Sequence, residues 1–200
     1  MSDVVFRPAV KQIQERKGSR AAYAKVEARG GFRQPMTPEL AQFIAGCDSF
    51  FLATASADGQ PYIQHRGGPP GFLHVLDERT LAFADFRGNR QYITQGNLSE
   101  NDRAFVFLMD YAEQRRFKLW CRARVVEDDP ALLERLTDPS YKGRPEQAIV
   151  LTLEAWDQNC PQHIPQLIPA HDVRVALDAL TARIAALDAE NRDLRERVSR

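Results

Sequence analysis

No stretch of this sequence approaches the roughly eighteen uninterrupted apolar residues of a membrane-spanning helix. The opening residues, MSDVVFRPAVKQ, lack the apolar core of a secretory signal, so a cytoplasmic protein with no membrane partner is expected. Net charge is absent too. Lys plus Arg and Asp plus Glu number 27 each, so no global field recruits nucleic acid or an anionic surface. No aromatic pair matches the RNA-recognition signature, and nucleic acid is not expected as a partner. Cysteine is scarce and odd in number: Cys47, Cys121 and Cys160 have no CxxC spacing. They read as reduced thiols, which excludes a disulfide frame and gives no metal site.

What is present is enough apolar material, 44% of 200 residues, for one sizeable core. Residues 1–36 are mixed and charged, with Gly30-Gly31 and Pro35 as breakers, and predict an irregular or partly helical arm. Thr37 then suits a helix cap, Pro38 the first helical position and Glu39 the positive end of the dipole. Leu40, Phe43 and Ile44 supply one apolar face, and Gly46 can end the helix.

Beyond Ser49 the period shortens. Phe50–Ser56 and Tyr62–Arg66 flank the turn signal Asp58-Gly59 and predict a hairpin. Phe72–Leu76 and Leu81–Asp85 flank Asp77-Glu78-Arg79 and predict a second, and Ala104–Met109 a further strand. In Arg116–Val126, Phe117, Leu119, Cys121, Ala123 and Val125 alternate with a mostly cationic set. Pro130–Leu136 reads as a short helix and Ala148–Trp156 as a last strand. Six or seven short strands with tight turns predict a closed or nearly closed barrel, which hides its edges.

The tail differs in kind. Val173, Leu177, Leu180, Ile184, Leu187, Asn191, Leu194 and Val198 follow a 4-3 spacing, a heptad seam with one polar member. A lone seam asparagine favours a parallel two-stranded register. Either a coiled coil or an amphipathic helix laid on the barrel satisfies this pattern. The expected division is therefore an arm at 1–36, a barrel at 37–160, a proline-containing linker at 161–172 and a helix at 173–200.

Two segments carry candidate chemistry. Gln64-His65-Arg66-Gly67-Gly68-Pro69-Pro70-Gly71 joins two strands through glycine, proline and charge. Such a segment admits close main-chain approach to a flat or anionic ligand, with Arg66 as a cation, although an ordinary Gly/Pro loop has the same composition. Phe83-Ala84-Asp85-Phe86-Arg87-Gly88-Asn89-Arg90-Gln91 places arginine and amide side chains before a short helical stretch, which suits a phosphate; a solvated turn is the competing reading. The cationic face of Arg116, Lys118, Arg122 and Arg124 could converge with these two at one barrel end, or could simply be a solvated exterior.

From about Phe50 to Glu127 the run ATASADGQPYIQHRGG, FADFRGNRQ, GNLSENDRAFVFL and RRFKLWCRARVVE resembles the pyridoxamine-5′-phosphate-oxidase-like, FMN-binding split-barrel family. The resemblance implies a mainly β fold with flanking helices, a six- to seven-stranded split β-barrel, with the heptad helix appended. It implies FMN between the protomers of a homodimer. The family's hydroxyl-Arg-Lys phrase falls on Asn89, Arg90 and Gln91, which puts Arg90 on the FMN phosphate. Gln64, His65, Arg66, Gly67 and Gly68 would lie along the flavin, Ala84 and Asp85 beside the ribityl chain. Arg116 stands where the family often has a glutamine reaching the cofactor. Trp156-Asp157-Gln158-Asn159-Cys160-Pro161-Gln162-His163-Ile164 looks like the signature of one branch, in which Trp156, Gln162 and His163 could close the pocket; a strand-ending tryptophan packed in the core fits the same residues.

The resemblance implies an FMN-dependent oxidoreductase moving hydride between a small molecule or NAD(P)H and flavin N5, or else a flavin-binding or sequestering protein without turnover. No catalytic residue is assigned. His65 and His163 are the histidines considered as proton donors. Gln91 and Pro69 stand where lysines would be expected, and nothing after Trp156 reproduces the family's phosphate-holding arginine/histidine motif. Pyridoxamine phosphate is therefore not the expected substrate.

Overall fold

Strand β6 (Arg115–Val126) shows how local pattern becomes architecture. Phe117, Leu119, Cys121 and Ala123 are buried on one face while Arg116, Lys118, Trp120 and Arg122 stand on the other, the alternation written in its sequence. The computed structural model describes residues 4–32, 34–158 and 160–199. Positions 1–3 and 33 of the expected arm, Asn159 of the tryptophan segment, and Arg200 lie outside the described residues. Two compact units are present, one of 1–110 and 115–161, the other of 111–114 and 162–200.

The first unit holds seven antiparallel strands: β1 (Ser49–Ala55), β2 (Pro61–Gly67), β3 (His74–Val75), β4 (Thr80–Phe86), β5 (Arg103–Asp110), β6 and β7 (Pro145–Gln158). Their order is β2-β1-β5-β6-β7-β4-β3. This is the expected split barrel with flanking helices. Helices α1 (Pro8–Arg16) and α2 (Arg20–Ala28) precede α3 (Pro38–Gly46), and α4 (Ile93–Glu100) and α5 (Pro130–Arg135) lie between strands. Of the two forms expected for the arm it takes the partly helical one, with Glu27 of α2 paired to both Lys11 and Arg20. Helix α3 starts as predicted: the Thr37 hydroxyl accepts the Leu40 N–H at 3.3 Å.

Inward residues of β1, β4, β5, β6 and β7 form the main core, with Phe50, Phe83, Phe117, Leu52 and Leu108 almost wholly buried. Helix α3 closes it through Leu40 and Ile44. A smaller cluster behind β4 holds Ala82, Ala84, Leu136, Ala148 and Val150. The second expected hairpin is shorter than predicted. Phe72 and Leu73 leave the ladder to plug the core, Phe72 after a turn in which its N–H donates to Pro69 at 3.0 Å, so only His74 and Val75 pair.

In the second unit, Gln114 Nε2 donates to the Ile164 carbonyl at 2.6 Å and Gln166 Nε2 to the Ala112 carbonyl at 3.0 Å. Helix α6 spans Ala170–Val198, starting three residues before the expected 173, and none of its residues is buried. No helix among the described residues is long and apolar enough to cross a membrane.

Candidate functional site

The register of β1 against β2 sets the site. Arg66 lies opposite Phe50 and Gln64 opposite Leu52, so both β2 residues continue the face that is apolar core on β1. His65 and Ile63 oppose Phe51 and Ala53 and belong to the outer face. On β4, Asp85 shares a face with Leu81 and Phe83, whereas the Ala84 side chain turns into the smaller cluster behind. Inward charge therefore appears on both strands at matching height. Arg66 Nη1 donates to Asp85 Oδ1 at 2.5 Å, and its guanidinium carbon sits 5.8 Å from the centre of the Phe83 ring.

A polar network extends from this pair. Gln147 of β7, buried, donates to Asp85 Oδ2 at 3.0 Å and accepts from Gln95 Nε2 at 3.0 Å. Gln95 also donates to Glu127, and the Thr94 hydroxyl donates to Gln64 Oε1 at 3.0 Å. Gln64, Asp85, Thr94, Gln95 and Gln147 line an open cleft. Arg66 Nε is buried and has no hydrogen-bond partner among the described residues.

The cleft's other wall is the loop from Gly88 into α4. Arg90 and Tyr92 both take left-handed backbone, with φ of 60° and 55°, at a cost of about 1 kcal/mol or more for each non-glycine residue. Asn89 Oδ1 accepts the Gln91 N–H at 3.2 Å, and Arg90 Nε donates to the Tyr92 hydroxyl at 3.2 Å. That phenol oxygen raises the Arg90 pKa further, so the guanidinium stays charged. No side chain caps α4. Its first-turn residues Ile93, Thr94 and Gln95, at the positive end of the helix, line the same cleft as the exposed Arg90. The arrangement suits a phosphate ester whose remainder runs toward Gln64 and Arg66.

The structure brings Gln64, Arg66, Asp85, Asn89, Arg90 and Gln91 to this cleft. A neighbouring hollow shares Gln64, Arg66 and Asp85 and adds His65, Gly67 and Ala84 to its lining. Gly68 has a packing reason for being glycine: a Cβ there would meet Phe72 Cγ at 2.6 Å. Arg116 lines neither space. It stands on the outer face of β6 opposite Met109, with its Nε buried and unpartnered. Trp156 is not brought to the cleft either; its indole lies 5.9 Å from the Phe117 ring and donates to the Pro35 carbonyl at 3.1 Å. Gln162 and His163 belong to the second unit, both exposed, His163 with a φ of 65°. The cationic face of β6 does not converge on the cleft, which leaves the other reading, a solvated exterior. Lys118 pairs with Asp157 at 2.9 Å, and Arg122 with Asp102 at 2.6 Å and Glu154 at 3.2 Å, because acidic residues of β7 and the β5 approach neutralise it.

Tyr62, Thr94, Gln95, Glu146 and Gln147 also line the cleft and escaped the sequence reading. Gln147 carried a signal: a lone amide entering the apolar run Ala148–Leu151.

The family model of pyridoxamine 5′-phosphate oxidase matches residues 36–160. The chain belongs to this family. Among solved structures, this family member is similar to HupZ from Group A Streptococcus, at 16% identity over 66% of this chain and 99% of that one, with a TM-score of 0.52. It is also similar to an FMN-binding protein from Syntrophomonas wolfei, at 14% identity over 73% and 97%, with a TM-score of 0.47. At so low an identity the likeness to HupZ establishes the shared fold alone. No curated protein matches the chain.

Proposed function

We propose that this member of the pyridoxamine 5′-phosphate oxidase family binds FMN in the Arg66–Arg90 cleft and acts as an oxidoreductase on a small molecule. The carrying observation is the pairing of a phosphate-suited rim with a polar floor in one cleft. Arg90 and the uncapped start of α4 make the rim, and Gln64 with the unused Arg66 Nε makes the floor. When bound, FMN supplies the redox chemistry, with hydride passing between a small molecule or NAD(P)H and N5 of its ring. Arg90 and the α4 N–H groups hold the phosphate through charge-assisted hydrogen bonds. Arg66 acts as an oriented donor, since Asp85 already offsets its charge. Asp85 holds its guanidinium, and Gln147 in turn holds Asp85.

The functional unit in this reading is a homodimer. Phe51, Phe105, Phe107 and Trp120 are only half-buried on the outer sheet face, and Ile63 beside them is 62% exposed, an apolar surface that a second barrel would cover. Arg116 lies on that same face and would serve a cleft only from a second protomer.

The test is uptake of FMN by the purified protein, read by quenching of flavin fluorescence. A protein that leaves added FMN free overturns the reading. A non-catalytic flavin-binding or sequestering role is the second reading, favoured by one observation: no histidine or cysteine lines the Arg90 cleft among the described residues. Steady-state oxidation of NADH or NADPH by the FMN-loaded protein separates the two.

A further inference from the structure

Helix α6 presents an apolar seam whose side chains are exposed among the described residues. Leu180 and Ile184 are each 60% exposed, Leu177 56% and Leu194 49%. Seven of its 29 residues are alanine, so propensity supports a helix of this length even while its seam is open. The seam falls into heptads with Leu177, Ile184, Asn191 and Val198 at the a positions and Val173, Leu180, Leu187 and Leu194 at the d positions. Leucine at three of the four d positions, with Ile184, Val198 and a single asparagine among the a positions, is close to the pattern of a two-stranded parallel coil.

The flanking charges choose the partner. In a parallel pair each g residue meets the e residue of the following heptad on the other helix. Here Arg183 meets Asp188 and Glu190 meets Arg195, so a pair of identical helices makes four attractive contacts and no repulsive one. Turning one helix round about the same centre places Asn191 against Leu180, which buries an amide on a leucine. It also brings Arg174 alongside Arg195 twice. The parallel, in-register arrangement instead sets Asn191 against Asn191, where the two amides satisfy each other.

We propose that α6 associates with α6 of a second copy of this chain as a parallel, in-register two-stranded coiled coil. This stands independently of the cofactor.

Cysteine cross-linking in the full chain tests it. In a Cys160→Ser background, which removes the exposed thiol, Leu180→Cys and Leu194→Cys each place identical d positions face to face. Mild oxidation is expected to give a disulfide-linked dimer from each variant alone, and little from Arg192→Cys, at an outward b position. Linkage only between Leu180→Cys and Asn191→Cys chains when mixed would show an antiparallel pair and overturn the proposal. Failure of both single variants to link, or equal linkage through Arg192→Cys, would overturn it as well. FMN content read in the same samples separates the two proposals, since cross-linking without bound flavin would remove the cofactor assignment and leave the coiled coil standing.

Discussion

Arg66 on β2 and Asp85 on β4 meet at 2.5 Å across a gap in the sheet that no hydrogen-bonded ladder spans. The strands carrying them stand first and next to last in the strand order, so the bridge ties the two halves of the split barrel where the backbone does not. Both side chains are mostly buried, 13% and 16% exposed. Removing one partner leaves the other desolvated and unpaired, which costs more than losing both. Asp85→Ala should therefore destabilise the protein by about 3–5 kcal/mol, and Arg66→Met by a similar amount. The double variant should lose clearly less than their sum. Urea denaturation of the four proteins measures this cycle, and strictly additive losses would show that the bridge carries no coupling.

Gly68 owes its identity to packing. A Cβ at that position would lie 2.6 Å from Phe72 Cγ and 2.8 Å from Phe72 Cβ, while the residue's own N–H is held by the Asp48 carbonyl at 2.9 Å. Phe72 is 5% exposed and stacks on Phe50, so it has little freedom to retreat. Gly68→Ala should cost about 1–3 kcal/mol, the range for overpacking a tight core. Thermal unfolding checks it. Wild-type stability in that variant would mean that the β2–β3 loop moves freely and does not hold the wall of the adjacent hollow.

These two contacts mark where sequence reading succeeds and fails. Thr37 capping α3 and the alternation of β6 are local, involving residues within a few positions of one another, and both were legible. Arg90 was legible through its resemblance to a family phrase. The Arg66–Asp85 bridge joins residues 19 apart and the Gln95–Gln147 bond residues 52 apart, and no periodicity encodes which inward polar group meets which. Phe72 and Leu73 read as strand because they are apolar and follow a turn; their burial by the main core took them out of the ladder. Trp156 had two readings from sequence, and its hydrogen bond to Pro35 was invisible because that partner lies 121 residues away.

His74 gives the fold a pH dependence of known sign. Burial against the smaller cluster lowers its pKa from the ordinary 6.5, a hydrogen bond with the Leu136 main chain works the other way, and Arg135 adds to the lowering. The unfolded chain therefore binds this proton more readily than the folded one. Its contribution to stability is present above pH 6.5 and is lost as pH falls through the folded value. For one proton the slope cannot exceed about 1.4 kcal/mol per pH unit. His74→Gln should flatten stability between neutral pH and the lower side of that window. An unchanged profile in the variant would assign the dependence to other groups.

Arg90 separates phosphate recognition from recognition of the rest of the cofactor. Its side chain is exposed and, among the described residues, bonded only to Tyr92, so its removal leaves no core contact unfilled. Arg90→Ala should leave stability within about 0.5 kcal/mol of wild type, as for most surface changes. FMN affinity should fall by about 1.5–3 kcal/mol, the worth of a hydrogen bond to a charged group, or roughly 10- to 150-fold in Kd. Arg90→Lys should fall between the two, since a lysine keeps the charge and loses the planar fork. Riboflavin, which lacks the phosphate, provides the internal comparison in the same fluorescence titration. It should bind the wild type and Arg90→Ala equally. A matching loss for both ligands would move Arg90 away from the phosphate and make its effect one of loop conformation. Loss confined to FMN would fix the ester at the start of α4.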